Sequence, residues 1–198
     1  TQAKGKVPET PNTKHYTRNT TPMKHLYILL ITCFLAAPLS AQDGYPHPPV
    51  PAENLFYIQR SGNHNTIVYD ANLTNDKKFN AKKPVNIYWI RYTHGGVKED
   101  LTFIQRTLAY GVSSKRLGDN HYEFHFVSYA KKKFILYLDA AGNPCAKLDV
   151  NGKQIVIRKI FIAIEEKSRW TLAPKIEYVE FFGSDPYNGK SLYEKFYP

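Results

Sequence analysis

A tryptophan and an arginine alternate along one apolar segment of the sequence, Val85 to Tyr92. In an extended strand, side chains two residues apart share a face, which places Trp89 and Arg91 on the same side. Both sides of this segment are largely apolar or aromatic, so we expect a central strand. A buried arginine needs a carboxylate, a carbonyl oxygen or a ligand anion. Arg91 is therefore either a structural ion pair or cation–π partner beside Trp89, or an anion-binding residue in a cavity.

Two other arginines follow an apolar residue and a glutamine, as Ile58-Gln59-Arg60 and Ile104-Gln105-Arg106. A guanidinium group can hold a carboxylate or a phosphate through two parallel hydrogen bonds. If Arg60, Arg91 and Arg106 converge in space, they could form a polar cluster for such an anion.

The sequence carries no recognisable catalytic or metal-binding motif. It lacks HExxH, CxxC, His-x-His, G-x-S-x-G and any P-loop or dinucleotide fingerprint. Its scattered histidines favour a solvated surface over a metal site, and we expect no cofactor. His64, Asp70 and Asp185 could supply an acid or a base. For Asp185, which precedes a proline in a predicted turn, a hydrogen bond to the backbone is sufficient explanation.

Most of the chain alternates between short runs rich in Ile, Val, Tyr and Phe and turn clusters containing Gly, Asn, Asp or Pro, which predicts strands. Asn151-Gly152 indicates a two-residue hairpin, because both central residues need positive φ. The predicted strands are Leu55 to Arg60, Thr66 to Asn72, Val85 to Tyr92, Tyr122 to Tyr129, Phe134 to Asp139, Ala146 to Val150, Gln154 to Ile164, Ile176 to Phe182 and Ser191 to Phe196. Lys131-Lys132-Lys133 is interpreted as a turn.

One segment, Lys98 to Tyr110, departs from this alternation. Leu101, Ile104 and Leu108 are spaced three and four apart, and Gly111 stands where a helix would end, so we expect a helix here. The alternative is a strand. The fold class is mainly β: an antiparallel β-sandwich or partly closed β-barrel with one packed α-helix.

The first part of the chain indicates export. Met23 to Ala41 combines a short cationic start, an apolar run too short to span a bilayer and a small residue before Gln42, as in a cleavable signal peptide. The alternative is an uncleaved anchor. Residues 1–22 are interpreted as an untranslated or disordered upstream stretch, residues 42–53 as a proline-rich linker and residues 54–198 as a single domain. We expect a periplasmic or extracellular protein that does not insert into the membrane after cleavage.

Charge and cysteine content further limit the kinds of protein that the sequence allows. The chain has a formal charge of +10, and the positive excess that remains after cleavage is scattered apart from Lys131-Lys132-Lys133, which is typical of solubility rather than of a nucleic-acid site. After cleavage, Cys145 is the remaining cysteine, so the domain must fold without an intramolecular disulfide.

The chain resembles a family of exported bacterial proteins known as domain of unknown function 4833. The likeness covers Asn54 to Pro198 and rests on four motifs. These are Leu55 to Ser61 with two asparagines following, Val85 to Tyr92, Ile104 to Arg106 with Ala109-Tyr110-Gly111, and Glu180 to Lys195. The resemblance implies no activity, cofactor or catalytic residue. It does single out the polar and aromatic motif residues as candidate ligand-binding residues: Arg60, Asn63, Asn65, Trp89, Arg91, Gln105 and Arg106.

These observations favour a non-catalytic binding module for a small anionic ligand or a cell-envelope partner. One alternative is an envelope hydrolase that uses the arginines to bind an anion and His64, Asp70 or Asp185 as acid or base. The other is a structural or assembly component with exposed tyrosines such as Tyr193 and Tyr197.

Overall fold

A computed structural model of the chain describes residues 1–2, 5, 44–171 and 174–198. The predicted signal peptide, Met23 to Ala41, lies outside the described residues, as does most of the stretch before it. The chain divides into two units, Thr1–Gly44 and Tyr45–Pro198, and the described structure is almost entirely that of the second. Within the described residues, no helix is both long enough and apolar enough to cross a bilayer.

The second unit is mainly β, as predicted. Its one α-helix among the described residues, α1, is Phe103–Leu108. Two 3-10 turns occur at Tyr92–His94 and Glu166–Ser168. The strands, numbered β1 to β11 in chain order, are Asn54–Arg60, Asn63–Ala71, Val85–Arg91, Val97–Asp100, Val112–Gly118, His121–Phe126, Tyr129–Leu138, Pro144–Val150, Lys153–Ile164, Ile176–Ser184 and Ser191–Phe196.

All eleven strands belong to one curled, open sheet. The first arm of this sheet has the order β4-β3-β2-β1 and the second arm has the order β8-β7-β6-β5. Both arms meet the long strand β9: β8 pairs with its first half, and β1 pairs with its second half in parallel. Strand β10 covers the other edge of β9 and carries β11. The curl therefore brings the inner faces of the two arms opposite each other.

Aromatic rings fill the space between the arms. The Phe56 ring of the first arm stacks on Tyr69, with ring centroids 4.6 Å apart, and on Phe134 of the second arm at 5.7 Å. Phe124 lies parallel to Phe134 at 4.7 Å. Phe56, Tyr69, Phe124 and Phe134 are all almost fully buried. Burial of this apolar surface is the main force that holds the arms together, since no disulfide is present among the described residues.

The helix differs from its prediction. It spans six residues instead of thirteen, because residues 97–100 pair as β4 with the edge of β3. Thr102 and Gln105 cap it reciprocally, each side chain accepting a hydrogen bond from the other's backbone N–H. Ile104 and Leu108, expected on a buried face, are 67% and 69% exposed. The predicted spacing was therefore not a sign of packing.

Two further predictions about strands and turns can be compared with the structure. Asn151 and Gly152 both have positive φ, at 54° and 80°, and form the predicted hairpin turn between β8 and β9. The interpretation of Lys131-Lys132-Lys133 as a turn was wrong, because these residues lie inside β7. Strand β5 was missed because its side chains are almost all exposed, so it lacks the apolar alternation of a half-buried strand.

The proline-rich stretch makes contacts with the outer face of the first arm. The Gln59 side-chain amide donates to the backbone carbonyl of Pro46 at 2.8 Å, and the Tyr92 hydroxyl donates to that of His47 at 3.1 Å. The Tyr45 ring packs edge-on against Phe161 with ring centroids 5.2 Å apart. These contacts hold part of the proline-rich stretch against the outer face of the sheet.

Candidate functional site

A cavity of about 490 Å³ lies between the two arms of the sheet. This volume falls within the range of small-molecule sites, about 300–1,000 Å³. The wall is mostly aliphatic and aromatic. Its residues are Ile58, Arg60, Ile67, Tyr69, Leu108, Ala109, Tyr110, Phe126, Ser128, Tyr129, Lys132, Phe134, Ile160, Ile162, Ile164, Pro174, Ile176, Val179, Phe181, Phe196 and Pro198.

Strand β9 shows how the cavity is arranged along its length. Ile160, Ile162 and Ile164 point to the same face of β9 because they are two residues apart, and all three line the cavity. Ile160 and Ile164 are four residues apart, which is about 13 Å at roughly 3.3 Å per residue. At the inner level, Ile160 pairs with Ile58 of β1 and Phe181 of β10. The inner end of the cavity is therefore wholly apolar at this level.

A cationic side chain marks the next level outward. Arg60 pairs with Ile162 in the β1–β9 register, two residues beyond the level of Ile58. Its side chain is half-buried and lines the cavity. Within the described ranges, it makes no hydrogen bond and no ion pair. The guanidinium donors are therefore open to solvent or to a ligand.

A second cation lines the cavity on the opposite arm. Lys132 precedes Phe134 by two residues on β7, so both side chains lie on the inner face. The Lys132 ammonium lies 4.5 Å from the centre of the Phe196 ring and donates to the backbone carbonyl of Asp149 at 3.3 Å. None of the side chains lining the cavity is acidic. The charged side chains of the wall, Arg60 and Lys132, are therefore both cationic.

Tyr69 closes the inner wall with its hydroxyl already occupied. This hydroxyl donates to the backbone carbonyl of Tyr110 at 2.9 Å. Burial, with a smaller contribution from Tyr110, raises the pKa of Tyr69 well above its usual value, so the hydroxyl stays protonated.

The other predicted site residues form a separate group next to the cavity. The Trp89 indole N–H donates to the Gln105 side-chain oxygen at 3.2 Å. Arg91 lies 5.6 Å from the centre of the Trp89 ring and forms an ion pair with Glu99 at 3.4 Å. Both contacts match the structural role predicted as one alternative for Arg91, that of an ion pair or cation–π partner beside Trp89. Tyr110 joins this group to the cavity, since its ring contacts Trp89 edge-on at 5.2 Å and also lines the wall.

The two asparagines of the first motif hold backbone. The Asn63 side-chain oxygen accepts a hydrogen bond from the Asn65 backbone N–H at 2.8 Å. The Asn65 side-chain oxygen accepts from both the backbone N–H and the hydroxyl of Thr93, each at 3.1 Å. They fix the β1–β2 turn and the end of β3. Arg106 is half-buried on α1 and, like Arg91, is not among the residues that line the cavity.

The acid and base candidates lie away from the cavity wall. Asp185 accepts hydrogen bonds from the backbone N–H groups of Tyr187 and Asn188, which is the predicted turn contact. Asp70 is buried and accepts from the Asn54 side chain at 2.9 Å. His64 is exposed, with its ring 5.4 Å from that of Tyr45. Among the described residues, no group of three or more His, Cys, Asp or Glu side chains could hold a metal ion.

Sequence reasoning singled out Arg60 but missed Lys132 and the isoleucines of β9 as site residues. The signal for Lys132 was present: Lys132, Phe134 and Leu136 alternate, which predicts that the lysine shares the face of two buried residues. The lysine run concealed this pattern.

Comparison with known proteins identifies the family and goes no further. No curated protein and no solved structure matches the chain. The sequence profile of the domain of unknown function DUF4833 matches residues 56–195, a range that contains Arg60, Lys132 and β9 in full. The chain therefore belongs to the DUF4833 family.

Proposed function

We propose that this protein is an exported, non-catalytic binding module that holds a small anionic ligand in the cavity between the two arms. Export rests on the signal-peptide pattern of Met23 to Ala41. The observation that carries the binding function is Arg60, a cation without a described partner on the wall of a largely apolar cavity.

The physical argument concerns the cost of placing a charge in such a site. A half-buried guanidinium loses part of its hydration, and this loss is offset when an anion accepts its hydrogen bonds. Such charge-assisted bonds are about twice as strong as neutral ones, and an arginine can form two of them with one carboxylate or phosphate. Lys132 adds a second positive charge on the facing arm.

The same wall supports binding over hydrolysis. A general acid or base must reach the reacting group at hydrogen-bond distance or through one water molecule. The residues lining the cavity include no histidine, aspartate or glutamate. The cavity wall therefore supplies cations that can hold an anion but none of the histidine, aspartate or glutamate groups that the hydrolase alternative requires.

The proposal is tested by titrating the purified protein with two fluorescent probes of similar shape. Anilinonaphthalene sulfonate is anionic, and phenylnaphthylamine is its neutral counterpart. We expect saturable binding of the anionic probe and, for Arg60→Gln, an affinity about tenfold or more lower, since a hydrogen bond to a charged group contributes about 1.5–3 kcal/mol. The neutral probe should bind both proteins about equally.

The matched control is Arg116→Gln. Arg116 is exposed on β5, pairs with Asp119 and is not part of the cavity wall. This variant should bind the anionic probe like the unaltered protein. Absence of saturable binding, or equal losses in Arg60→Gln and Arg116→Gln, would show that the cavity is not an anion site.

A further inference from the structure

We infer that the ligand class is a single-chain alkyl carboxylate, with its hydrocarbon chain in the cavity and its carboxylate at Arg60. The inference rests on the proposed function and names the kind of anion that the cavity takes. It is carried by the order in which apolar and cationic side chains follow one another along the cavity.

The inner part of the cavity suits a hydrocarbon chain. Ile58, Ile160 and Phe181 meet at one level through the pairing of β1, β9 and β10. The polar atom near this end, the Tyr69 hydroxyl, already donates to the Tyr110 carbonyl. A sugar, nucleotide or amino acid bound here would leave its polar groups without partners, at a cost of about 1–3 kcal/mol for each buried group. An alkyl chain has no such groups.

The cations stand at the outer level, on both sides of the same space. Arg60 is one alternation outward from Ile58 and pairs with Ile162. The Lys132 ammonium lies over the Phe196 ring, and Phe196 is linked to the same level because it pairs with Val179, which pairs with Ile162. A ligand with its charge at one end and an apolar body matches this order. A carboxylate fits the planar fork of a guanidinium, while the Lys132 ammonium can add an electrostatic attraction.

Beyond the cations, the wall opens to solvent. Leu108 and Ile176 line the cavity and are also 69% and 41% exposed, which marks them as part of its mouth. Ile164, which pairs with Ile176, belongs to the same outer level. A chain that enters with its methyl end first would pass these apolar residues and leave its carboxylate beside Arg60.

The test measures affinity for octanoate, decanoate, laurate, myristate and palmitate, each below its micelle concentration, by displacement of anilinonaphthalene sulfonate. Each added methylene should tighten binding by about fourfold, the value expected for burial of one methylene, until the cavity is full. Longer chains should then gain nothing more. Arg60→Gln should weaken every carboxylate by the same factor and leave the dependence on chain length unchanged.

A substitution in the inner wall locates the chain. Ile160→Phe should shorten the cavity, so that the affinity stops increasing at a shorter carboxylate. The matched control is Ile90→Phe, in the small apolar cluster formed by Val68, Tyr88 and Ile90 and away from the cavity wall. It should leave the chain-length limit in place. Both variants are compared only where circular dichroism shows the same fold, and the series on the unaltered protein stands without them.

The outcomes separate this inference from the proposed function. If the anionic probe binds in an Arg60-dependent way but no carboxylate displaces it, or if affinity does not depend on chain length, the acyl ligand is wrong and the anion site stands. If long-chain alcohols bind as tightly as the matching carboxylates, the carboxylate anchor is wrong. If neither probe nor carboxylate binds, both proposals fail.

Discussion

Gln105 joins two parts of the structure through one side-chain oxygen. Its oxygen accepts hydrogen bonds from the Trp89 indole and from the Thr102 backbone N–H, at 3.2 Å and 3.0 Å. It therefore links the start of α1 to β3. The Trp89 ring in turn supports Tyr110, which forms part of the cavity wall.

Trp89→Phe keeps an apolar ring at this position but removes the indole N–H. We expect the free energy of unfolding to fall by about 2 kcal/mol, from the lost hydrogen bond and the unfilled volume. Chemical denaturation followed by circular dichroism measures this loss. Trp170→Phe is the matched control: Trp170 is 90% exposed, so its change should stay within about 0.5 kcal/mol. Equal losses in the two variants would contradict the linking role of Trp89.

At this scale, the sequence indicated which residues matter better than it indicated their roles. The alternation of Trp89 and Arg91 predicted a shared face, but whether Arg91 meets a carboxylate or a ligand depends on which strand lies beside it. The partner is Glu99 of β4, a strand that the sequence did not predict. Arg60 and Arg106 share the Ile-Gln-Arg pattern, yet Arg60 lines the cavity and Arg106 does not. Local pattern cannot distinguish such cases, because the neighbours are set by the pairing of distant segments.

Among the elements, the connection from α1 to β5 depends on a close backbone approach. A Cβ atom built on Gly111 would lie 1.8 Å from the Arg106 carbonyl oxygen, well inside contact distance. The Gly111 carbonyl also accepts a hydrogen bond from the Val127 backbone N–H at 2.9 Å. Gly111 was predicted as the residue where a helix ends; its absence of a side chain is needed instead for the turn that carries Tyr110 to the cavity wall.

Gly111→Ala should force this turn apart and lower the free energy of unfolding by more than about 1 kcal/mol. Thermal unfolding measures the effect. Gly118→Ala is the matched control, because a Cβ atom there meets nothing within 4 Å. It should leave the midpoint nearly unchanged. A tolerant Gly111→Ala variant would show that the backbone approach can relax at little cost.

Strands rich in buried residues were predictable, while exposed elements were not. The apolar strands β1, β3 and β9 were predicted within one residue of their observed bounds, whereas the exposed, lysine-rich start of β7 was missed. The exposed strands β4 and β5 have no apolar sequence pattern, since almost all their side chains face solvent. The start of helix α1 is determined by the Thr102–Gln105 capping contacts and not by an apolar stripe. The prediction from apolar spacing therefore made the helix too long.

For the whole molecule, several tyrosines resist ionisation. Burial, followed by the neighbouring Asp70 carboxylate, raises the pKa of Tyr88, and burial also raises the pKa values of Tyr69, Tyr92 and Tyr137. Burial favours the neutral form of a tyrosine, which is the protonated one. The folded-state pKa therefore lies above the unfolded value near 10. The stability linked to this difference is fully present below about pH 10 and is lost as the pH rises toward the folded-state pKa values.

We therefore expect the unfolding free energy to decrease steadily above about pH 10. Tyr88→Phe removes one ionisable group and should make this decrease less steep without changing its onset. Denaturation series at stepped pH measure the slope. Tyr187→Phe is the control, because Tyr187 is 86% exposed and should leave the slope unaltered. A slope identical in both variants would contradict the contribution of Tyr88.

The fold class was predictable because mainly β content and a single domain-sized core follow from composition and alternation. The curled sheet with two arms was not, because the sequence contains no local signal that β1 pairs with β9. That pairing joins segments about a hundred residues apart: the Ser61 hydroxyl and the backbone of Ile164 exchange hydrogen bonds across 103 positions. The cavity depends on it directly, since Ile58 and Arg60 reach β9 through this register.

This long-range pairing also constrains how the molecule can assemble during synthesis. The first arm is complete when Asp100 has emerged from the ribosome, but the surface against which this arm packs includes β9, which ends at Ile164. Closing so large a loop carries an entropic penalty. Topologies dominated by distant contacts fold slowly. A nascent chain that stops before β9 would expose the apolar face of β1 and β2, so chaperone dependence and sensitivity to truncation should concentrate on chains that end before that strand.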